Sequence, residues 1–187
     1  MPLPTDILTL DPAAGGTSAI ARWSAGVLAE VKLVRGVSAM PGESPGSRCH
    51  RTVARIHEEL VSWHRRQVAA SILVWEWPHV YQRERSHADP ADLLALAAVG
   101  GAVAAAAASL WLGLVVMTVE PGEWSGQVPK SKTGDPWASP RGRRIHERLT
   151  PAERDLVPRS HDALDAVGIG LHTLGRFAPR RVFPGAS

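Results

Sequence analysis

The chain has 187 residues and a single cysteine, Cys49. An internal disulfide and a cysteine-based zinc cluster are therefore excluded, and a reducing, cytoplasmic setting is expected. None of the eight histidines falls into an H-E-x-x-H or comparable spacing. His57, His64, His79 and His87 consequently read as solvated or packing residues rather than metal ligands. The opening stretch MPLPTDILTLDP lacks a basic region ahead of an apolar one and meets Asp6 and Asp11 at once, so no secretory signal is expected. There is no internal repeat. With 44% hydrophobic and 21% charged residues the composition is that of a folded protein. The length suits one domain, taken as residues 1–175, with residues 176–187 as a C-terminal tail.

The net charge is modest, +3 with a pI near 9.6. Arginines gather in HRRQ, RGRRIHER and PRRV, which is compatible with a polyanionic partner without requiring one. No charge occurs from Leu93 to Met117, a run long enough to span a bilayer. Its Ala and Gly content gains little from lipid, and its character changes after Ser109 from helix-forming alanines to the strand-like LGLVVMTV. The expectation is a buried helix followed by a buried strand, with no membrane partner. Gly100 and Gly101 in that helix permit close approach, either to the chain's own sheet or to the helix of a second copy.

Three antiparallel strands are expected in DILTLDP, TSAIARWS and GVLAEVKLV, the last two joined at Ala25-Gly26. An amphipathic helix with a basic outer face follows over residues 47–67, set by Val53, Ile56, Leu60 and Trp63. ASILVWEW is a continuous apolar run, suited to a central strand covered on both faces. Asp89, Pro90 and Asp92 suit the start of the Ala-rich helix. The Gly, Pro, Ser and Lys content of residues 121–140 predicts a mobile loop. The basic helix RGRRIHERL, a short helix near TPAERDL and a last helix over 160–174 complete the order, before a frayed tail. Strands alternating with crossover helices imply an α/β sheet covered on both faces.

The acids fall at the ends of these elements. Asp11 closes the first strand, Glu76 closes the fourth, and SHDALDAVGIGL places Asp162 and Asp165 three residues apart on one face of an apolar helix. Neighbouring like charges there make each other harder to ionise unless a cation lies between them. Adjacent strands ending at one sheet edge bring Asp11 and Glu76 together, and a helix across that edge adds Asp162 and Asp165. Such oxygen ligands suit Mg²⁺, with Mn²⁺ fitting the same set. Two ions roughly 4 Å apart are the arrangement that activates water and stabilises the leaving oxygen in phosphodiester hydrolysis. Trp75 and Trp77 read as core, whereas Trp124 and Trp137 are placed where they could stack on exposed bases.

These segments carry a resemblance. ILTLDPA with a Thr-containing second strand, ILVWEWP and HDALDAVGIGL resemble, in order and spacing, the three acidic motifs of RuvC-type Holliday-junction resolvases, closer to a phage or prophage branch than to the housekeeping enzyme. The resemblance covers about residues 5–175. It implies an RNase H-like fold, a mixed five-stranded sheet with helices on both faces. It also implies a homodimeric, Mg²⁺-dependent endonuclease, with two ions per site, that makes paired symmetric nicks in four-way DNA. Asp11, Glu76, Asp162 and Asp165 would be the metal-binding acids, with His161, Lys130 and Lys132 as possible accessories. Basic side chains of the 47–67 and 141–148 helices would hold phosphates. The competing readings are an RNase H-like nuclease acting on flaps, forks or RNA–DNA hybrids, and a non-catalytic nucleic-acid-binding scaffold.

Overall fold

The structure is a computed structural model, and it describes residues 6–78, 89–126 and 134–177. A five-stranded mixed sheet runs in the order β3-β2-β1-β4-β5. Its members are β1 (Asp6–Asp11), β2 (Thr17–Ser24), β3 (Val27–Arg35), β4 (Ile72–Glu76) and β5 (Val115–Val119). β1, β2 and β3 form an antiparallel meander, while β1–β4 and β4–β5 are parallel. Ala25 and Gly26 close the β2–β3 hairpin, both with positive φ, 49° and 77°. That is the backbone a two-residue hairpin turn requires. Among the described residues six α-helices follow the meander: α1 (Pro45–Arg65), α2 (Pro90–Leu110), α3 (Pro121–Ser125), α4 (Pro140–His146), α5 (Pro151–Asp155) and α6 (His161–Thr173). The mixed α/β architecture expected from the sequence is therefore the one observed.

The helix starts are written in the chain. Ser44, Asp89, Ser139 and Thr150 each cap a helix by accepting a hydrogen bond from a first-turn N–H, and a proline occupies the first turn every time. Strand alternation then decides which side chain meets which helix. Leu8, Leu10, Leu73 and Trp75 pack with Ile56, Leu60 and Trp63 of α1 and Val99, Val103 and Ala107 of α2. Ile7 and Val74 point the other way, into a core with Ala163, Ala166, Val167 and Ile169 of α6. Each such fully buried aliphatic side chain contributes about 1.5–3 kcal/mol relative to exposure. The apolar run of β4 is thus covered on both faces.

Three expectations fail on burial, the first being Trp77, which was expected in the core and is 44% exposed. β5 is an edge strand, and Val115, Val116 and Met117 are 52%, 41% and 46% exposed. α2 passes by length and composition as a bilayer-spanning helix, yet only 28% of its most apolar window is buried. The reason is geometric: α2 leans on β4 and α1 with one stripe only. Gly100 lies in that stripe, so close to Trp75 that a Cβ would overlap the indole, while Gly101 faces open space. Close packing on the chain's own sheet accounts for the first glycine alone.

Local order also exceeds expectation around residues 121–140. Instead of one long loop there are α3 and a 3₁₀ turn at Pro136–Ala138, with 127–133 lying outside the described residues. At the other end, Arg176 is no frayed residue. It donates to both carboxylate oxygens of Glu153 (2.7 and 2.9 Å), to the Gly26 carbonyl (3.3 Å) and to the Arg148 carbonyl. Phe177 lies 4.4 Å beneath the Arg144 guanidinium, and 178–187 lie outside the described residues.

Candidate active site

Asp11 and Glu76 follow a registered pair, since Leu10 of β1 faces Trp75 of β4 across a parallel ladder. The two carboxylates therefore stand side by side at the same sheet edge. Because Leu10 and Trp75 point toward α1 and α2, alternation turns Asp11 and Glu76 to the α6 face. Both are half-buried.

α6 is laid against that face by specific contacts. Thr9 of β1, fully buried, donates from Oγ1 to the Ala166 carbonyl at 2.8 Å and accepts from the Trp23 indole at 3.4 Å. The glycines of the AVGIGL run are docking points. A Cβ at Gly170 would overlap Trp23, and one at Gly168 would overlap Trp124. With alanine at 163 and 166, the helix comes close enough to carry its own acids to the edge. Ser160 caps it through Oγ, accepting from the Asp162 N–H at 3.2 Å, and its hydroxyl reaches Asp162 Oδ2 at 3.3 Å. Asp165, on the next turn, is buried at 4% exposure.

Two residues that the sequence reading placed elsewhere complete the arrangement. Trp124, expected in a loop with a possible stacking role, is buried in α3, and its indole N–H donates to Glu76 Oε2 at 2.6 Å. Arg141, expected only as one of several phosphate-holding cations, donates from Nη1 to Asp165 Oδ1 at 2.9 Å. Its guanidinium carbon also lies 5.0 Å from the centre of the Trp124 ring. Glu76, Trp124, Arg141 and Asp165 therefore form one connected series from the end of β4 to α6. The one signal that could have singled out Arg141 is its place in the first turn of a helix, where the dipole disfavours a cation.

The structure brings Asp11 and Glu76 to adjacent strand ends and links Glu76 to Asp165 through Trp124 and Arg141. Asp162 lies one turn earlier on α6, half-buried, and His161 opens that helix, also half-buried. Among the described residues no three His, Cys, Asp or Glu side chains converge as a ready-made metal site. Lys130 and Lys132, with His79 and His87, lie outside the described residues. The donor set at the edge is nonetheless all carboxylate oxygen, the chemistry a hard divalent cation takes. Asp165 already has the Arg141 guanidinium against it.

The basic helices are less free than their composition suggests. Arg51 is paired with Glu43 at 2.5 Å, Arg66 with Glu30 at 3.0 Å, and Arg55 donates to the Arg35 carbonyl at 3.1 Å. Arg65 of α1, with Arg143 and Arg148 in and just after α4, is exposed.

No family model and no curated protein matches the sequence. Among solved structures, Thermus thermophilus RuvC in complex with a Holliday junction substrate aligns over 90% of this chain and 92% of its own, at 20% identity and a TM-score of 0.56. A second structure of T. thermophilus RuvC is 20% identical over 89% of this chain and 92% of its own, with a TM-score of 0.49. The yeast mitochondrial Holliday junction resolvase Ydc2 is 11% identical over 94% of this chain and 83% of its own, also at 0.49.

Proposed function

The chain has the RuvC-like resolvase fold, and from that premise we propose that it is a metal-dependent, structure-selective DNA endonuclease that resolves four-way junctions by paired symmetric nicks. The observation that carries this reading is the side-by-side ending of Asp11 and Glu76 on the α6 face, with Asp165 linked to Glu76 through Trp124 and Arg141. Bound there, Mg²⁺ ions, two per site and with Mn²⁺ as a substitute, would supply an activated water and stabilise the leaving 3′ oxygen. Asp11, Glu76, Asp162 and Asp165 would hold the ions. Within the chain, Trp124 orients the Glu76 carboxylate and excludes water from one side of it. Among the described residues, exposed Arg65, Arg143 and Arg148 are cations available to backbone phosphate. The accessory roles of His161, Lys130 and Lys132 remain part of the same proposal.

Paired nicks need two sites facing opposite strands, and we place the second in a symmetric partner copy. The support is α2: its uncovered stripe includes Leu94, 72% exposed, beside a cleft of about 450 Å³ lined by Cys49, Val53, Ala95 and Ala98. An apolar helix face of this kind is what an isologous helix contact buries.

One observation favours a second reading. Because no three carboxylates converge among the described residues, a scaffold that binds branched DNA without cutting it is the alternative. Incubating the protein with an end-labelled four-way junction, with Mg²⁺ or with chelator, separates the two. Symmetric paired nicks that need Mg²⁺ support the nuclease. Retention of intact junction under both conditions supports the scaffold, and preferential cutting of a fork or an RNA–DNA hybrid reassigns the substrate.

A further inference from the structure

The cation at Asp165 is supplied by the protein itself. Arg141 and Asp165 are both largely shielded, their side chains 16% and 6% exposed, and their contact is a 2.9 Å ion pair. Such a pair is screened little by solvent and holds its geometry well. The arginine is aimed rather than merely present. Ser139 caps α4 by accepting from the Gly142 N–H at 2.9 Å, and a Cβ at Gly142 would strike the Pro136 carbonyl. The first turn of α4 is thus locked against the 3₁₀ turn, and the side chain of Arg141 leaves it toward α6. The guanidinium then lies over the ring of Trp124, whose N–H holds Glu76.

We propose that Arg141 is an internal counter-cation of the acid edge, competing with divalent metal for Asp165, so that metal enters only as Arg141 withdraws. This rests on the nuclease reading and adds a regulation to it. Two cations cannot share one buried carboxylate without strong mutual repulsion, so metal and the guanidinium are alternatives at Asp165. Withdrawal uncovers the face of Trp124, which couples occupancy of the edge to the surroundings of that indole. Without DNA the site therefore resists metal. A phosphate that receives the departing guanidinium makes metal loading favourable only on substrate.

The test is calorimetric titration of Mn²⁺ into DNA-free wild type, Arg141→Gln, Arg141→Lys and Asp165→Asn, with tryptophan emission followed in parallel. Removing the competing charge should tighten Mn²⁺ by about 5- to 30-fold in Arg141→Gln, while Arg141→Lys stays near wild type. Mn²⁺ should also change wild-type emission, and Trp124→Phe should abolish that change. If Arg141→Gln does not fold, the comparison of Arg141→Lys with wild type and the emission change decide the matter. Equal or weaker Mn²⁺ binding in Arg141→Gln, with wild-type binding that Asp165→Asn abolishes, overturns the competition and leaves the nuclease reading intact. No Mn²⁺ binding by any variant overturns both.

Discussion

The Trp124 ring is seated on Gly168 of α6, in space that any side chain at that position would fill. In a helix interior, glycine normally costs about 0.5–1 kcal/mol relative to alanine, so its place here is explained by the indole it admits. Gly168→Ala should therefore destabilise by about 1–3 kcal/mol, through overpacking that propensity does not offset. Gly46→Ala, whose added methyl meets only the Ser44 hydroxyl at 3.9 Å, should be neutral or slightly stabilising. Urea denaturation midpoints of the two variants provide the comparison. Equal midpoints would show that Trp124 can move aside at little cost.

The same indole makes Glu76 a clean position to probe. Glu76→Gln keeps an oxygen for the 2.6 Å hydrogen bond from Trp124 while removing the charge. Stability should change little, and junction cleavage should fall by more than about 100-fold with junction affinity retained. Asp11→Asn and Asp165→Asn should follow the same pattern, although Asp165→Asn also leaves Arg141 without its anion and should cost more stability. Cleavage and gel-shift assays on one labelled junction read both effects. Loss of binding in step with cleavage would mean that the acids support the fold rather than the chemistry.

What the sequence revealed divides along physical lines. The hairpin at Ala25-Gly26, the start of α2 at Asp89 and Pro90 and the period of Val53, Ile56, Leu60 and Trp63 are local signals, and the structure follows them. The edge position of Asp11 and Glu76 was legible too, because strand alternation and a parallel crossover leave few other placements. Burial of β5 and α2 was misread, since an apolar run says that a face is hydrophobic and not what covers it. The contacts of Trp124 with Glu76 and of Arg141 with Asp165 were not legible for a different reason. They depend on how α3 and α4 fold back onto α6, through contacts across Gly168 and Gly142 that no local pattern announces.

The uncovered stripe of α2 makes a prediction of its own. A charge at Ala98, which lines the apolar cleft between α1 and α2, should oppose association without touching the sheet core. Ala98→Glu is expected to shift sedimentation toward the monomer. It should also replace paired nicks by single ones, because each protomer would then meet only one strand. A monomeric wild type in sedimentation equilibrium at micromolar concentration would remove the basis for placing the partner there.

Phosphate binding should come from few cations. Arg51, Arg55 and Arg66 are engaged within the chain, so charge counting overstates the number that reach DNA. Replacing Arg143 and Arg148 together by alanine should weaken junction binding about equally across sequences. The slope of log affinity against log salt should fall by about one for each phosphate that is no longer neutralised. Arg51→Ala should leave that slope unchanged. A slope altered equally by all three substitutions would point to a diffuse field rather than to defined arginine–phosphate pairs.

The acid limb of stability should depend on Glu153, far from the candidate site. Burial pushes its carboxyl up, but the hydrogen bonds from Arg176 and from the Leu28 and Thr150 N–H groups, with the charge of Arg176, outweigh that and hold it lowered from 4.5 to about 2. A carboxylate whose folded value is depressed stabilises fully above its unfolded value and loses that contribution as pH falls toward the folded one. The window here runs from about 4.5 down to about 2, and the contribution lost across it is up to about 3 kcal/mol. Glu153→Gln should lower stability at pH 7 and flatten the decline between those limits, because the amide does not titrate. Thermal unfolding of both proteins from pH 7 to pH 2 reads the difference. Parallel curves would show that Arg176 docks the C-terminal turn of the domain without drawing on the charge of Glu153.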